Sequence, residues 1–318
     1  MVGLQFCDGN RRSCTVEAPG FSPVECNADK NGFSRGANQL SRSPEFAMAS
    51  PIRQPAVAGR FYPANPQRLR AEIESFAASR ETAILPALGC VVPHAGYMYS
   101  GYVAGAVYRR LDLPQRYIIL CPNHTGMGEP LAIMSEGAWR TPLGDVPIDE
   151  GLAAELKQHM PLLAEDGEAH RAEHALEVQL PFLQVLAPQF QFVPITVGTS
   201  HFEALAALGI AIANTLAQHD DKFLVIASSD MNHYESDSVT RVKDRRAIDQ
   251  MLALDARGLY DVVREGHISM CGYGPAVVML TAAKKRGATR AKLVRYATSG
   301  DVSNDRDMVV GYAGIAVY

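Results

Sequence analysis

The stretch VVPHAGYMYSG, residues 91–101, decides the fold predicted for this chain of 318 residues. It opens as an apolar strand, passes through His94, and reaches a helical pattern after a turn that we place between Gly96 and Gly101. A strand that is apolar on both faces is typical of a parallel sheet covered by helices on both sides. Open α/β sheets bind ligands at the carboxyl ends of their strands, so His94 is a candidate site residue.

The same alternation of short apolar runs and amphipathic patterns continues along the chain. The predicted central strands are Leu88–Pro93, Tyr117–Cys121, Phe192–Val197 and Phe223–Ala227, and two further strands are predicted at Ala291–Ala297 and Val309–Val317. The predicted helices include Tyr102–Leu111, Leu152–His159, His174–Leu186, Phe202–Ala217, Val242–Leu254 and Pro275–Lys285. The pattern predicts a single α/β domain over residues 48–318, with a central, mostly parallel mixed sheet covered by helices on both faces.

Residues 1–47 differ in composition from the rest of the chain. They are rich in Gly, Ser, Asn and Arg and have few periodic apolar positions. We predict a disordered leader, or sequence upstream of a natural start at Met48. A genuine flexible extension is the alternative.

The overall composition excludes several classes of function. With 30 Lys and Arg against 34 Asp and Glu, the net charge of −4 provides no positive field for non-specific nucleic-acid binding. Six cysteines without paired spacing suit a reducing compartment. No apolar run reaches the roughly 20 residues of a membrane-spanning helix. We therefore predict a cytoplasmic protein with no nucleic-acid or membrane partner.

A second histidine follows a second buried strand. The segment IILCPNHTG, residues 118–126, places His124 as VVPHAGYMYSG places His94. Either histidine alone could be a turn residue bonded to the backbone, but two in matching positions favour a shared metal site. We expect their neighbours Tyr97 and Asn123, and Ser229 on another strand end, to line the same pocket.

Two further segments supply polar groups. In FLVIASSDMNHY, residues 223–234, Asp230 and His233 could act as a ligand with its orienter or as acid–base groups. The alternative is a local turn with His233 on the surface. In MCGYGP, residues 270–275, Cys271 precedes a helix N-terminus, which favours a thiolate. Cys271 is therefore either a third ligand or a small buried hydrophobic residue.

The remaining polar residues have more than one interpretation. In EHALEVQLPFLQ, residues 173–184, His174 could point into the pocket, while a solvated position at a helix N-terminus explains Glu173 and Glu177 equally well. Trp139, in a predicted hairpin, is expected to shape the rim of the pocket. His170 is expected to be solvated.

Taken in order, these segments resemble the Memo family, called AmmeMemoRadiSam system protein B in prokaryotes. The resemblance covers Met48 to Tyr318 and rests on the strings PAVAGRFYP, VPHAGYMYSG, CPNHTG, WRTPLGDVPID, EHALEVQLPFL, VPITVG, SSDMNHY, CGYGP and VGYAGIAVY. That family is related in fold to class III extradiol dioxygenases. The resemblance implies that His94 and His124 are metal ligands and that His233 is an acid–base histidine. Cys271 falls where those dioxygenases have a glutamate ligand.

The resemblance also implies a function in outline. It points to a redox protein that uses Fe(II) or Cu, with Zn as a further choice, on an unknown substrate. The alternatives are a module that binds a peptide or partner protein in the same pocket, and an active ring-cleaving dioxygenase, which a thiolate in place of a carboxylate disfavours. A small molecule or peptide is the implied ligand, and a radical-SAM protein and an AMMECR-type protein are the implied partners.

Overall fold

The computed structural model describes residues 51–78, 83–187 and 189–318. The predicted leader, residues 1–47, lies outside the described residues. The strands are β1 (Ile52–Arg53), β2 (Gly89–Val92), β3 (Arg116–Pro122), β4 (Leu131–Ile133), β5 (Ala138–Thr141), β6 (Gly144–Pro147), β7 (Ala164–Glu165), β8 (Gln191–Val197), β9 (Phe223–Ser228), β10 (His233–Glu235), β11 (Ala291–Thr298) and β12 (Val309–Val317).

The helices alternate with these strands. They are α1 (Pro66–Phe76), α2 (Tyr97–Arg110), α3 (Glu150–His159), α4 (Glu168–Arg171), α5 (Leu180–Leu186), α6 (Phe202–Leu216), α7 (Asp237–Leu252), α8 (Ala256–Glu265), α9 (Tyr273–Lys285) and α10 (Gly300–Ser303). A 3₁₀ turn at Glu177–Gln179 precedes α5. No helix within the described ranges is long and apolar enough to cross a lipid bilayer.

The main sheet has the strand order β10-β12-β2-β9-β3-β8-β4-β7, with β11 paired to β12. Strands β2, β9, β3 and β8 run parallel, whereas β12 and β4 join them antiparallel. Strands β1, β5 and β6 form a separate small sheet. The predicted mixed α/β sheet is therefore confirmed.

Both faces of the main sheet are buried. Along β3, Ile118 and Leu120 point into one hydrophobic core, while Tyr117, Ile119 and Cys121 point into the other. Helices α3, α6, α7, α8 and α9 supply the first core, and α1, α2 and α5 supply the second. Because alternate side chains of a strand leave on opposite faces, a strand buried between two helical layers must be apolar throughout.

Two predicted helix boundaries were wrong. Gly101 does not end a turn but lies inside α2, where a Cβ atom would come within 2.6 Å of the Phe76 ring. The glycine thus permits close packing of α2 on α1. The predicted helix His174–Leu186 becomes the 3₁₀ turn followed by α5, with Pro181 at its N-terminus.

Glu177 fastens the first described segment to the core. Its Oε1 accepts hydrogen bonds from the Tyr62 hydroxyl at 2.6 Å and the Val57 N–H at 3.1 Å. Its Oε2 accepts the Ala56 N–H at 2.7 Å and pairs with the buried Arg53 guanidinium. The expected solvated role of Glu177 was therefore wrong, because a carboxylate with so many donors is stable when buried.

Asp244 on α7 is a second buried carboxylate. It accepts the Tyr296 hydroxyl at 2.7 Å and the Asn232 N–H at 2.8 Å, and no Lys or Arg is paired with it among the described residues. Burial raises the pKa of Asp244 to about 7, although these two hydrogen bonds act against that rise. The folded protein therefore holds a proton on Asp244 that the unfolded chain releases near pH 4.

We expect Asp244→Asn to reduce the pH dependence of the free energy of unfolding between about pH 4 and pH 7. A raised folded pKa gives stability that is complete below about pH 4 and is lost as the pH rises to about 7. A tenfold difference in proton affinity between the folded and unfolded chains corresponds to roughly 1.4 kcal/mol of stability. Urea unfolding of both proteins between pH 4.5 and 8 should show the wild type losing stability relative to the variant as pH rises. Parallel profiles would contradict the assignment.

Candidate metal centre

The register of three parallel strands brings the candidate residues to one level. Val92 of β2 lies beside Ser228 of β9, and Leu120 of β3 lies beside Ala227 of β9. Two residues beyond this level, His94 and Asp230 leave the carboxyl ends of β2 and β9. The loop after β3 supplies His124 at the same edge of the sheet, as the parallel topology predicts.

Three imidazoles meet at this edge. His94, His124 and His174 each offer a ring nitrogen, and these atoms all lie within 4.8 Å of one another. The ring centroids of His94 and His124 are 5.1 Å apart and nearly perpendicular, whereas His174 stacks on His124 at 4.7 Å. His94 is buried, His174 is half-buried and His124 is more accessible. This group could hold a metal ion.

Ser228 fixes the proton on His94. Its hydroxyl donates its single hydrogen to the Ala175 carbonyl at 2.6 Å and accepts from the Gln179 side-chain amide at 2.8 Å. The Ser228 oxygen can therefore only accept from His94 Nδ1, which lies 3.0 Å away. Nδ1 carries the hydrogen, and Nε2 keeps its lone pair. Burial, together with the nearby His124, lowers the pKa of His94 well below its usual value, so the ring is neutral at pH 7.

Glu173 performs the same task for His124 and lies close to His174. His124 Nδ1 lies 2.9 Å from Glu173 Oε1, and His174 Nδ1 lies 3.4 Å from the same oxygen. Although burial opposes it, the hydrogen bond from His124 lowers the pKa of Glu173 to about 2, so this group is a carboxylate. Burial and the neighbouring His94 lower the pKa of His174 to about 4. The expected solvated position of Glu173 was wrong.

Cys271 lies directly beside His94. Its Sγ is 3.2 Å from His94 Nε2 and 3.7 Å from the Asp230 carbonyl oxygen. The turn that carries it is pinned by Gly272, whose N–H donates to Ser229 Oγ at 3.0 Å. Burial and then the Asp230 charge raise the pKa of the Cys271 thiol, so the residue is a neutral thiol in the field of the protein alone. The thiolate expected for a metal ligand stays a prediction.

Asp230 and His233 flank this group. Asp230 is buried, and its Oδ1 accepts a hydrogen bond from the backbone N–H of His94 at 2.8 Å. Burial raises the pKa of Asp230 in spite of that bond. His233 donates through Nδ1 to the Ser269 carbonyl at 2.9 Å, because a carbonyl can only accept. In the neutral ring, the lone pair of His233 is therefore on Nε2. Both residues line the cavity that the three imidazoles share.

That cavity has a volume of about 630 Å³. The described residues that line it are Phe61, His94, Ala95, Gly96, His124, His174, Asp230, His233, Tyr234, Ser269, Cys271 and Val310. The predicted metal and acid–base residues, and His174, are thus all brought together. Their individual roles stay predictions.

The other predicted pocket residues lie outside this lining. The Tyr97 hydroxyl donates to the Val178 carbonyl at 2.6 Å, and Tyr97 lines a neighbouring cavity of about 410 Å³. The Asn123 side chain donates to the Met127 carbonyl and organises its own loop. Ser229 is buried and supports Gly272. Their roles as substrate contacts also stay predictions.

Two expectations about neighbouring residues were wrong. His170 is completely buried, and its Nδ1 lies 3.0 Å from Thr196 Oγ1. Trp139 is also completely buried and packs beneath the Arg53 guanidinium at 4.2 Å, so it belongs to the core and not to the rim. Sequence reasoning gave no individual role to Ser228 or Gln179. The only signals were the polarity of Ser228 at the end of an apolar strand and that of Gln179 near the start of the predicted helix His174–Leu186.

The donor set fits a transition-metal ion. A ligating imidazole must be neutral and present a lone pair, and its other nitrogen is normally held by a carboxylate, carbonyl or similar acceptor. Ser228 holds the Nδ1–H of His94 and Glu173 holds that of His124, so each ring can present Nε2 to a metal ion. Imidazole and thiol donors suit Fe, Cu or Zn better than Mg or Ca.

Comparisons with known proteins identify the family of this chain. The model of the Memo-like protein family matches residues 53–316. A MEMO1 family protein of Methanothermobacter thermautotrophicus is 43% identical over 276 residues, covering 83% of this chain and 100% of that protein. One from Methanopyrus kandleri is 44% identical (83% and 98% covered), and one from Methanosarcina barkeri is 44% identical (84% and 100% covered).

A solved structure is similar at a greater distance. The crystal structure of uncharacterized protein JW3007 from Escherichia coli K12 has a TM-score of 0.47 and 14% sequence identity, covering 72% of this chain and 98% of that one. The family match and the relatives above, which align over most of both sequences, show that this chain belongs to the Memo family.

Proposed function

We propose that this protein is a metal-dependent redox protein that binds Fe(II) or Cu through His94, His124 and Cys271 and acts on a small molecule in the adjoining cavity. The observation that carries the proposal is which ring nitrogen of each histidine carries the hydrogen. His94 and His124 each donate a hydrogen bond through Nδ1 to an acceptor within the protein, which leaves Nε2 available at the shared edge of the sheet.

We choose Cys271 over His174 as the third ligand on geometric grounds. The Cys271 sulfur already lies 3.2 Å from the lone pair of His94 Nε2. His174 stacks on His124 with an interplanar angle of 28°, and its Nδ1 lies 3.4 Å from the Glu173 oxygen that accepts from His124 Nδ1. The ring nitrogens of His94, His124 and His174 also lie within 4.8 Å of one another, so His174 is the competing third ligand that the variants below distinguish from Cys271.

When bound, such an ion would supply Lewis acidity and one-electron chemistry at this edge. The remaining work falls to protein groups. His233 Nε2 is free to accept a proton from a substrate held in the cavity, because Nδ1 is committed to the Ser269 carbonyl. Asp230 accepts a hydrogen bond from the backbone N–H of His94 and so fixes the turn from which the His94 side chain projects. His174 borders the cavity and is available to contact substrate.

Removing individual ligands should separate the two choices of third ligand. We expect His94→Ala, His124→Ala and Cys271→Ser each to weaken metal binding on the order of 100-fold or more, whereas His174→Gln stays within a few-fold of wild type. Metal content would be measured on protein purified without chelator or nickel affinity. In a Co(II) titration, the sulfur-to-metal absorption band should be missing from Cys271→Ser alone among variants that still bind Co(II).

Two results would change this proposal. If His174→Gln loses metal and Cys271→Ser retains it at equal stability, the ligand set is three histidines. If none of the four variants differs from wild type in metal content, the metal-binding role fails.

Ser228 should control metal affinity without touching the metal. Ser228→Ala removes the acceptor of His94 Nδ1–H, so we expect a loss of affinity of roughly 10- to 100-fold. Thr196→Val is a matched control, because it removes a buried hydroxyl bonded to His170 outside the cavity. The control should lose stability but not metal affinity.

The proton position itself can be measured without metal. Nitrogen-15 NMR of the metal-free protein, with His94→Ala as the assignment control, should show the His94 hydrogen on Nδ1 in wild type. A hydrogen on Nε2 would contradict the role assigned to Ser228.

A further inference from the structure

Tyr234 stands at the mouth of the cavity in an unusual backbone conformation. Its φ angle is +60°, in the left-handed region that favours glycine. It lies in an irregularity between His233 and Glu235, where β10 pairs with β12. A bulge of this kind re-aims a side chain, and such bulges occur next to functional sites.

The surroundings hold Tyr234 in this conformation. On one side, the backbone N–H of His233 donates to Ser269 Oγ at 2.7 Å. On the other, Glu235 accepts the Asn232 side-chain amide at 2.6 Å and pairs with Lys243 at 2.6 Å. The strained backbone is therefore imposed by its neighbours, as strained functional residues usually are.

The Tyr234 ring makes few contacts with the described part of the chain. Tyr234 is 69% exposed, although it lines the cavity. Within the part of the chain that the structure describes, its only ring contact is with His233, at 5.6 Å between centroids. An aromatic ring held in this conformation at the cavity has most of its surface available to contact a ligand.

The cavity walls define the chemistry of that ligand. Phe61, Ala95 and Val310 are apolar, and the Phe61 ring packs on His174 at 4.7 Å between centroids. No Lys or Arg is among the described residues that line the cavity. A phosphate or carboxylate would lack the cationic side chains that normally bind it, so the walls suit an uncharged, planar apolar group.

We propose that Tyr234 is the specificity-determining residue of this site and packs against an uncharged planar group of a ligand whose other end reaches the metal. This inference rests on the proposed function, since the metal anchors one end of the ligand. The left-handed backbone at Tyr234 sets the direction in which its side chain leaves β10, and Phe61 supplies a second aromatic ring in the lining of the same cavity.

Two hydroxamic acids with the same metal-binding end provide the test. Benzohydroxamic acid carries a phenyl ring, whereas acetohydroxamic acid carries a methyl group. In Co(II)-loaded wild-type protein, followed by the visible spectrum of the metal, we expect benzohydroxamic acid to bind at least about tenfold more tightly. Tyr234→Ala should reduce that ratio to about twofold or less, and Tyr234→Phe should retain it.

Two controls separate a ligand contact from a structural role. Leu162→Ala removes a side chain that is 66% exposed and lies outside the lining, and it should leave the ratio unchanged. Tyr234→Gly removes both the ring and the backbone strain, so its melting temperature should equal or exceed that of wild type. A marked fall in its melting temperature would mean that the ring is structural and would overturn the inference.

The remaining outcomes are also decisive. Failure of wild-type protein to bind Co(II) would overturn the proposed function and this inference together. Co(II) binding with equal affinity for both acids, or with no response to either, would overturn the role of Tyr234 and leave metal binding standing. A ratio that survives Tyr234→Ala would do the same.

Discussion

The alignment of the parallel strands is the constraint on which the site depends. Strands β2, β3 and β9 end at one level because Val92 pairs with Ser228 and Leu120 pairs with Ala227. A slip of β2 by one residue would turn its side chains to the opposite faces of the sheet and would carry His94 away from His124. Because both faces are packed with apolar side chains, such a slip would bury the wrong residues. Core packing therefore fixes the site geometry.

Buried polar groups next to that edge determine which nitrogen of each imidazole carries a hydrogen. Ser228 and Glu173 are buried and accept hydrogen bonds from imidazole N–H groups, and each makes further hydrogen bonds with the surrounding backbone or side chains. A buried network is stable only when nearly every member is paired, so the direction of each hydrogen bond follows from its neighbours. The consequence is that Ser228 and Glu173, which lie outside the lining of the cavity, determine which nitrogen of His94 and of His124 carries the hydrogen.

The sequence was most informative where chemistry and topology coincide. Apolar strands followed by His94, His124 and Asp230 predicted the sheet and the edge at which these residues meet. The positions of Glu173, Glu177 and His170 were not predictable in this way, because acidic and imidazole side chains near a helix start are usually solvated. Their burial depends on partners far away in sequence, such as Arg53 for Glu177, and no local pattern records such partners.

The long-range contacts around the cavity also bear on how the protein is made. Arg53 and Glu177 are separated by 124 positions, and His94 and Cys271 by 177. Closing such loops is entropically costly and slow, and an N-terminal segment leaves the ribosome well before its partners. The wall that carries Phe61 must therefore wait for Glu177, and His94 must wait for Cys271. During synthesis His94 and Cys271 remain apart until most strands of the main sheet have been translated, so the cavity that they line is completed late.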